Sequence, residues 1–245
     1  MDKKLFEEAR EKIIGIQRER HGIGTLSEKT VHAILKYYYA PDEDMHEIPI
    51  ENYVADIYTG IEIIEIQTRN FNKLRDKLNV FLKQYPVTIV YPIPYHKWLV
   101  WIDEDTGECT KRRKSPKNGT VYDAFRELYK IKSYLVNDNL RLKLVLMNVE
   151  EYRLLNGWSQ DKKKGSTRYD RIPTELVEEV SVERIEDYMQ FVPYSLPEQF
   201  TTADFAKEAH IASAVAQVVV HLLHYTGILE RVGKKGRSYL YQVVE

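Results

Sequence analysis

Three strand-like apolar runs, IEIIEIQ (61–67), VTIVYPI (87–93) and LRLKLVLMNV (140–149), constrain this chain more than any other feature. Strands this apolar want cover on both faces, and the segments between them supply it. NFNKLRDKLNVFLKQY places Phe71, Leu74, Leu78, Phe81 and Leu82 near helical spacing. KWLVWID and ECTKRRK read as a hairpin over Asp-Thr-Gly, and TVYDAFRELYKIKSYL as a further helix. Two helices come first. One covers 2–20 with Leu5, Phe6, Ala9, Ile13 and Ile16; the other covers 26–39 with Val31, Ile34, Leu35 and Tyr38 and ends at PDED. The order helix, hairpin, helix, strand, hairpin, helix, strand predicts an α/β layer fold around a mixed sheet flanked by helices.

The grammar changes after VPYSLPEQ, where Pro193 and Pro197 mark a boundary between an α/β domain (1–195) and a small domain (196–245). The second part reads as a short helix capped by Thr202, a turn, a long helix beginning at or capped by Ser213 and ending at Gly227, and a ribbon. In the ribbon, ILERV and YLYQVV pair across GKKGR. The pattern resembles a winged helix-turn-helix with Lys234, Lys235 and Arg237 at the wing tip. That resemblance implies either DNA contact or a protein-interaction module.

Composition narrows the chemistry. Cys109 is the only cysteine among 245 residues, which excludes an internal disulfide or a Cys-based zinc site and suits a reducing, cytoplasmic setting. No apolar run reaches membrane-spanning length, and MDKKLFEEAREK reads as a charged helix rather than a signal peptide. P-loops, GxGxxG motifs and catalytic triads are absent. Net charge is −1, yet three segments concentrate cations: Lys111–Lys117 (which contains Arg112 and Arg113), Asp161–Arg171 and Glu230–Arg237. Positive patches on a neutral protein point to nucleic acid as a partner, against a solvated-loop reading of each cluster.

The stretch VADIYTGIEIIEIQ raises the sharpest question, because it plants Asp56, Glu65 and Gln67 in an otherwise apolar hairpin. A two-residue loop at Thr59-Gly60 pairs Asp56 with Ile63 and Val54 with Glu65; a four-residue loop is expected to keep that pairing, and a three-residue loop to break the parity. Asp56 and Glu65 then share a face on a diagonal about 7–8 Å apart. Two anions side by side on a half-buried sheet need a cation or a shared proton. Oxygen ligands favour Mg²⁺ or Mn²⁺.

An Asp, a tight turn and a Glu-x-(Lys/Gln) at the end of the next strand resemble the core of the PD-(D/E)XK nuclease superfamily. The following helix and buried strand match that order over roughly residues 25–150. The resemblance implies a restriction-endonuclease-like fold and metal-dependent cleavage of DNA. Asp56 and Glu65 would be metal ligands, Glu28 in TLSEKTVHAILKYY an accessory ligand, and Gln67 would stand where the family most often has Lys. Arg69 and Lys73 are then the candidates for the missing positive charge. Simpler readings compete: Thr25–Glu28 fits a helix capping box, His32 a helix-surface or core histidine, and Asp56 with Glu65 an exposed polar edge. A nuclease fold without turnover, acting as a DNA-binding regulator, is the rival function, and homo-oligomerisation is left open.

Overall fold

A computed structural model describes residues 1–21, 30–157 and 165–244, with side chains of 16–21 left aside. The chain forms a seven-stranded mixed sheet flanked by helices, and a separate two-stranded sheet near the C-terminus. Helix α1 (Lys3–His21) starts where Asp2 accepts the backbone N–H groups of Lys4 and Leu5 at 3.0 Å each. Helix α2 (Thr30–Tyr39) packs on α1 through Phe6, Ile13, Ile34, Leu35 and Tyr38, all buried.

The extended run that follows divides at a turn into β1 (His46–Ile50) and β2 (Tyr53–Tyr58). Next come β3 (Ile63–Ile66), β4 (Val87–Asp103), β5 (Arg113–Lys114), β6 (Leu140–Leu155) and β7 (Thr167–Val182). The strand order is β1-β2-β3-β4-β6-β7, with β5 on β4. Strand β4 runs parallel to both β3 and β6, and the remaining pairings are antiparallel. Such a sheet needs cover on both faces, and it has it. Helices α1 and α2 lie against Ile57, Ile64, Val90, Val145 and Met147 on one face. Helix α3 (Arg75–Phe81) and α4 (Phe125–Leu128) lie against Ile63, Ile89, Leu142 and Leu144 on the other.

Several expectations change here. VTIVYPI and KWLVWID are one strand of 17 residues, bulged between Pro94 and Lys97. ECTKRRK contributes only the Ile102–Cys109 bridge and the two-residue β5. The two helical stretches after β3 and β5 are broken into 3₁₀ and α turns, with α cores of seven and four residues. A further strand, β7, pairs antiparallel with β6 beyond the elements the sequence pattern predicts. Its sequence TRYDRIPTELVEEVSV mixes charges into the pattern because much of it is half-buried. Gly119 is fixed by packing: a Cβ there would stand 2.3 Å from the Pro94 carbonyl oxygen.

The C-terminal segment forms α5 (Thr202–Glu208), α6 (Ser213–Tyr225) and the hairpin β8 (Leu229–Lys235) with β9 (Ser238–Val243). The cap of α5 is Thr201, not Thr202, in a reciprocal capping box with Asp204. Phe200 bridges Tyr241 by two backbone hydrogen bonds of 2.9 and 2.8 Å, which lays a minimal third strand beside β9. Phe200, Phe205, Val219 and Leu223 belong to the same buried cluster as Phe125, Leu128 and Phe191. The core is therefore continuous across the Pro193–Pro197 segment.

Candidate functional site

Strand β3 is buried along its whole length and carries one charge, Glu65. Its hairpin with β2 pairs Tyr58 with Ile63 and Ile57 with Ile64, so the loop has four residues, Thr59 to Glu62. This corrects the expected register. Asp56 comes to lie directly across from Glu65 rather than on a diagonal, while the shared face survives because two positions of slip preserve parity. Gly60 supports the turn with φ of +93°.

Beyond Ile57 and Ile64 the backbone ladder gives way to side chains. The Asp56 N–H donates to Glu65 Oε1 at 3.3 Å, and the Ile66 N–H donates to Asp56 Oδ2 at 2.8 Å. The two carboxylates thus wedge the strands apart while satisfying each other's backbone. Both flanking layers reach this split. From α2, His32 Nε2 comes within 3.1 Å of Asp56 Oδ2. From α3, Lys77 Nζ donates to Glu65 at 2.8 and 3.1 Å.

The electrostatics follow from this arrangement. Burial pushes the Asp56 carboxyl up, but His32, the Ile66 N–H and Lys77 outweigh it and hold the group below the usual range. Glu65 is deeper, with its side chain 2% exposed. Burial, then the neighbouring Asp56 charge, push it up to about 7 against the pull of Lys77 and the Asp56 N–H. The pair therefore holds one firmly ionised carboxylate and one that titrates near neutrality.

Glu28 lies outside the described residues. Gln67 donates its amide to the Arg69 carbonyl and so braces the turn after β3. Lys73 is exposed, and Arg69 lines a cleft on the α2 side of the sheet. Neither contacts Glu65; the cation that does is Lys77, which sequence reasoning missed. Its signal was present, since Lys77 stands three residues after Leu74 and four before Phe81, both buried, on the core-facing side of a short helix. His32, expected as a helix-surface or core histidine, is the second such partner, set against Asp56. His96 is occupied with Asn118 at 3.0 Å, and His210 sits exposed in the α5–α6 turn with φ of +54°.

Arg112 and Arg113 lie on the same edge of β4 as β3, but far along it. Arg113 pairs with Leu99, ten positions beyond Ile89, the partner of Glu65. At ~3.3 Å per residue that is roughly 33 Å. Arg112 pairs with Glu150 at 2.8 Å and sits over the Trp98 ring at 5.2 Å. Lys234 and Lys235 lie in β8 itself, opposite Tyr239 and Ser238, and Arg237 follows Gly236 in a two-residue loop. All three are exposed, with Lys234 over the Tyr239 ring at 5.1 Å. Part of the Asp161–Arg171 cluster, residues 161–164, lies outside the described residues. Among the described residues no group of three or more His, Cys, Asp or Glu is arranged to hold a metal, and no helix is long and apolar enough to cross a membrane.

No solved structure matches the chain. A protein of Treponema pallidum (strain Nichols), described as uncharacterized, is 27% identical over 227 residues, spanning 90% of this chain and 87% of its own length. The family model described as Domain of unknown function (DUF8091) matches residues 29–183. That match runs from α2 to the end of β7 and takes in His32, Asp56, Glu65 and Lys77, so the chain belongs to the DUF8091 family.

Proposed function

We propose that this protein hydrolyses phosphodiester bonds in DNA, with a divalent cation held by Asp56 and Glu65. The observation that carries the reading is the split between β2 and β3, where a half-buried Asp56 and a buried Glu65 face each other between a lysine and a histidine. The donor set fits Mg²⁺ or Mn²⁺, which are commonly bound through one or two carboxylates with water and substrate phosphate completing the shell. When bound, such an ion polarises a phosphoryl oxygen and lowers the pKa of a coordinated water.

The chain's own groups support the same chemistry. Lys77 brings an ammonium to Glu65, the charge that Gln67 cannot supply, so a developing phosphorane-like transition state would find its cation on α3 rather than on β3. His32 fixes the orientation of Asp56 Oδ2. The restriction-endonuclease-like core is then the catalytic domain, and the C-terminal unit a winged helix-turn-helix. Its phosphate contacts come from the wing, because α6 (SAVAQVVVHLLHY) contains no Lys or Arg.

One observation favours a second reading, a DNA-binding regulator without turnover: Lys77 and His32 already occupy both carboxylates as partners. Incubation of linear, circular and single-stranded DNA with Mg²⁺ and with Mn²⁺ separates the two. Cleavage is expected from the wild type, none from Glu65→Ala, and a rate lower by ~10²–10³ from Lys77→Met, the usual cost of losing an electrostatic stabiliser. DNA that is bound but left intact by the wild type under every condition sinks the nuclease reading and leaves the regulator.

A further inference from the structure

On the α2 side of the sheet, past the end of β3, a cleft of about 70 Å³ opens between Thr68, Arg69, Arg168 and Arg171, floored by Pro92, Pro94, Met147 and Val149. Ligand pockets usually measure ~300–1,000 Å³, so this one has room for a chemical group rather than a whole molecule. The sign of that group is set by Arg171, one of three cations, with Lys97 and Arg153, gathered round the single carboxylate of Glu151; Arg69 and Arg168, also in the lining, are engaged with partners of their own.

Arg171 is the residue best prepared to bind. Its Nε donates to Glu151 Oε2 at 2.9 Å, and Glu151, with its side chain 2% exposed, is gripped as well by Arg153 at 2.9 Å and Lys97 at 3.4 Å. Burial pushes the Glu151 carboxyl up, but Arg171 and Lys97 outweigh it and hold the group ionised below the usual range. The guanidinium is therefore locked by one edge on a permanent anion. Its two terminal nitrogens make no hydrogen bond within the described structure, and the side chain retains 26% exposure. That is the fork geometry that meets two oxygens of one anion. The Thr68 hydroxyl, also in the lining, adds a donor.

We infer that this cleft is a binding site for a single phosphate group, held by the Arg171 terminal nitrogens and the Thr68 hydroxyl between Arg69 and Arg168. Thr68 follows Glu65 by three residues and Val31, also in the wall, precedes His32, so the site adjoins the Asp56–Glu65 split. The inference deepens the reading above, and rests on it only in taking nucleic acid as the source of the phosphate.

The test uses the whole chain and two probes. With inorganic phosphate, thermal denaturation is compared against chloride at matched ionic strength. The wild type and Glu65→Gln should both be stabilised by phosphate; Arg171→Met and Thr68→Val should each lose the effect wholly or in large part. With 3′-labelled oligonucleotides, Arg171→Met should weaken binding by at least about tenfold, the cost of a charge-assisted contact. Loss confined to the 5′-phosphorylated oligonucleotide assigns the cleft to a terminal phosphate, and equal loss with a 5′-hydroxyl assigns it to an internal phosphodiester. Phosphate stabilisation that is absent from the wild type, or unchanged in both variants, overturns the site. Cleavage of DNA with unchanged phosphate binding in Arg171→Met would refute this inference alone, whereas phosphate binding without cleavage would refute only the nuclease reading.

Discussion

Replacing Glu65 by Gln keeps the shape of the carboxyl and its acceptor for the Asp56 N–H while removing its charge. A carboxyl pushed from 4.5 to about 7 by folding carries roughly 3 kcal/mol of unfavourable free energy once it is fully ionised. The sign follows from proton binding. The folded chain holds this proton more tightly than the unfolded chain, so the stabilising contribution is whole below 4.5 and disappears as pH rises through about 7. Asp56 behaves oppositely, being held below 3.8, so its contribution is present above that value and lost only in stronger acid. The two windows do not overlap. Urea denaturation of wild type and Glu65→Gln from about pH 4.5 to about pH 8.5 isolates the Glu65 part as the change in their difference. The variant should gain on the wild type by roughly 3 kcal/mol across that range, over and above any constant offset from the Lys77 contact. A difference that does not change with pH would refute the account of Glu65 as a buried, anion-opposed carboxyl.

Two further outcomes follow from the packing and the charge distribution. Phe205→Ala empties a fully buried position in the continuous core and should cost ~3–5 kcal/mol, with fluorescence and circular dichroism reporting one transition rather than an isolated melting of the C-terminal helices. Alanine at Lys234, Lys235 and Arg237 together should reduce the slope of log affinity against log salt by roughly two to three for duplex DNA; an unchanged slope would place the wing away from phosphate.

Much of the scaffold could be read from the sequence because its signals are local. The apolar runs at 61–67 and 87–93 are strands, the carboxylates of the first hairpin do meet, and Gly227 does follow the end of α6. What escaped reading depends on distant partners. β7 is recruited by β6 although its own pattern is mixed, and β4 continues through Pro92 and Pro94 because β6 runs beside it through both halves, with a bulge between Pro94 and Lys97. The same limit applies to the site. Asp56, Glu65 and Gln67 announce themselves as polar residues in an apolar hairpin. Lys77 and His32 look like ordinary helix residues until α3 and α2 are laid on opposite faces of the sheet. Arg171 gains meaning only when Glu151, twenty residues earlier, fixes its orientation.

The claim that Asp56 and Glu65 form a divalent-cation site is tested most directly by calorimetric titration of Mn²⁺ into the whole protein near pH 8, where Glu65 is ionised. The account predicts weak but measurable binding that falls as pH drops through about 7, because protonation of Glu65 competes with the metal, and that vanishes in Asp56→Asn/Glu65→Gln. Equal Mn²⁺ affinity in the wild type and the double variant would contradict it.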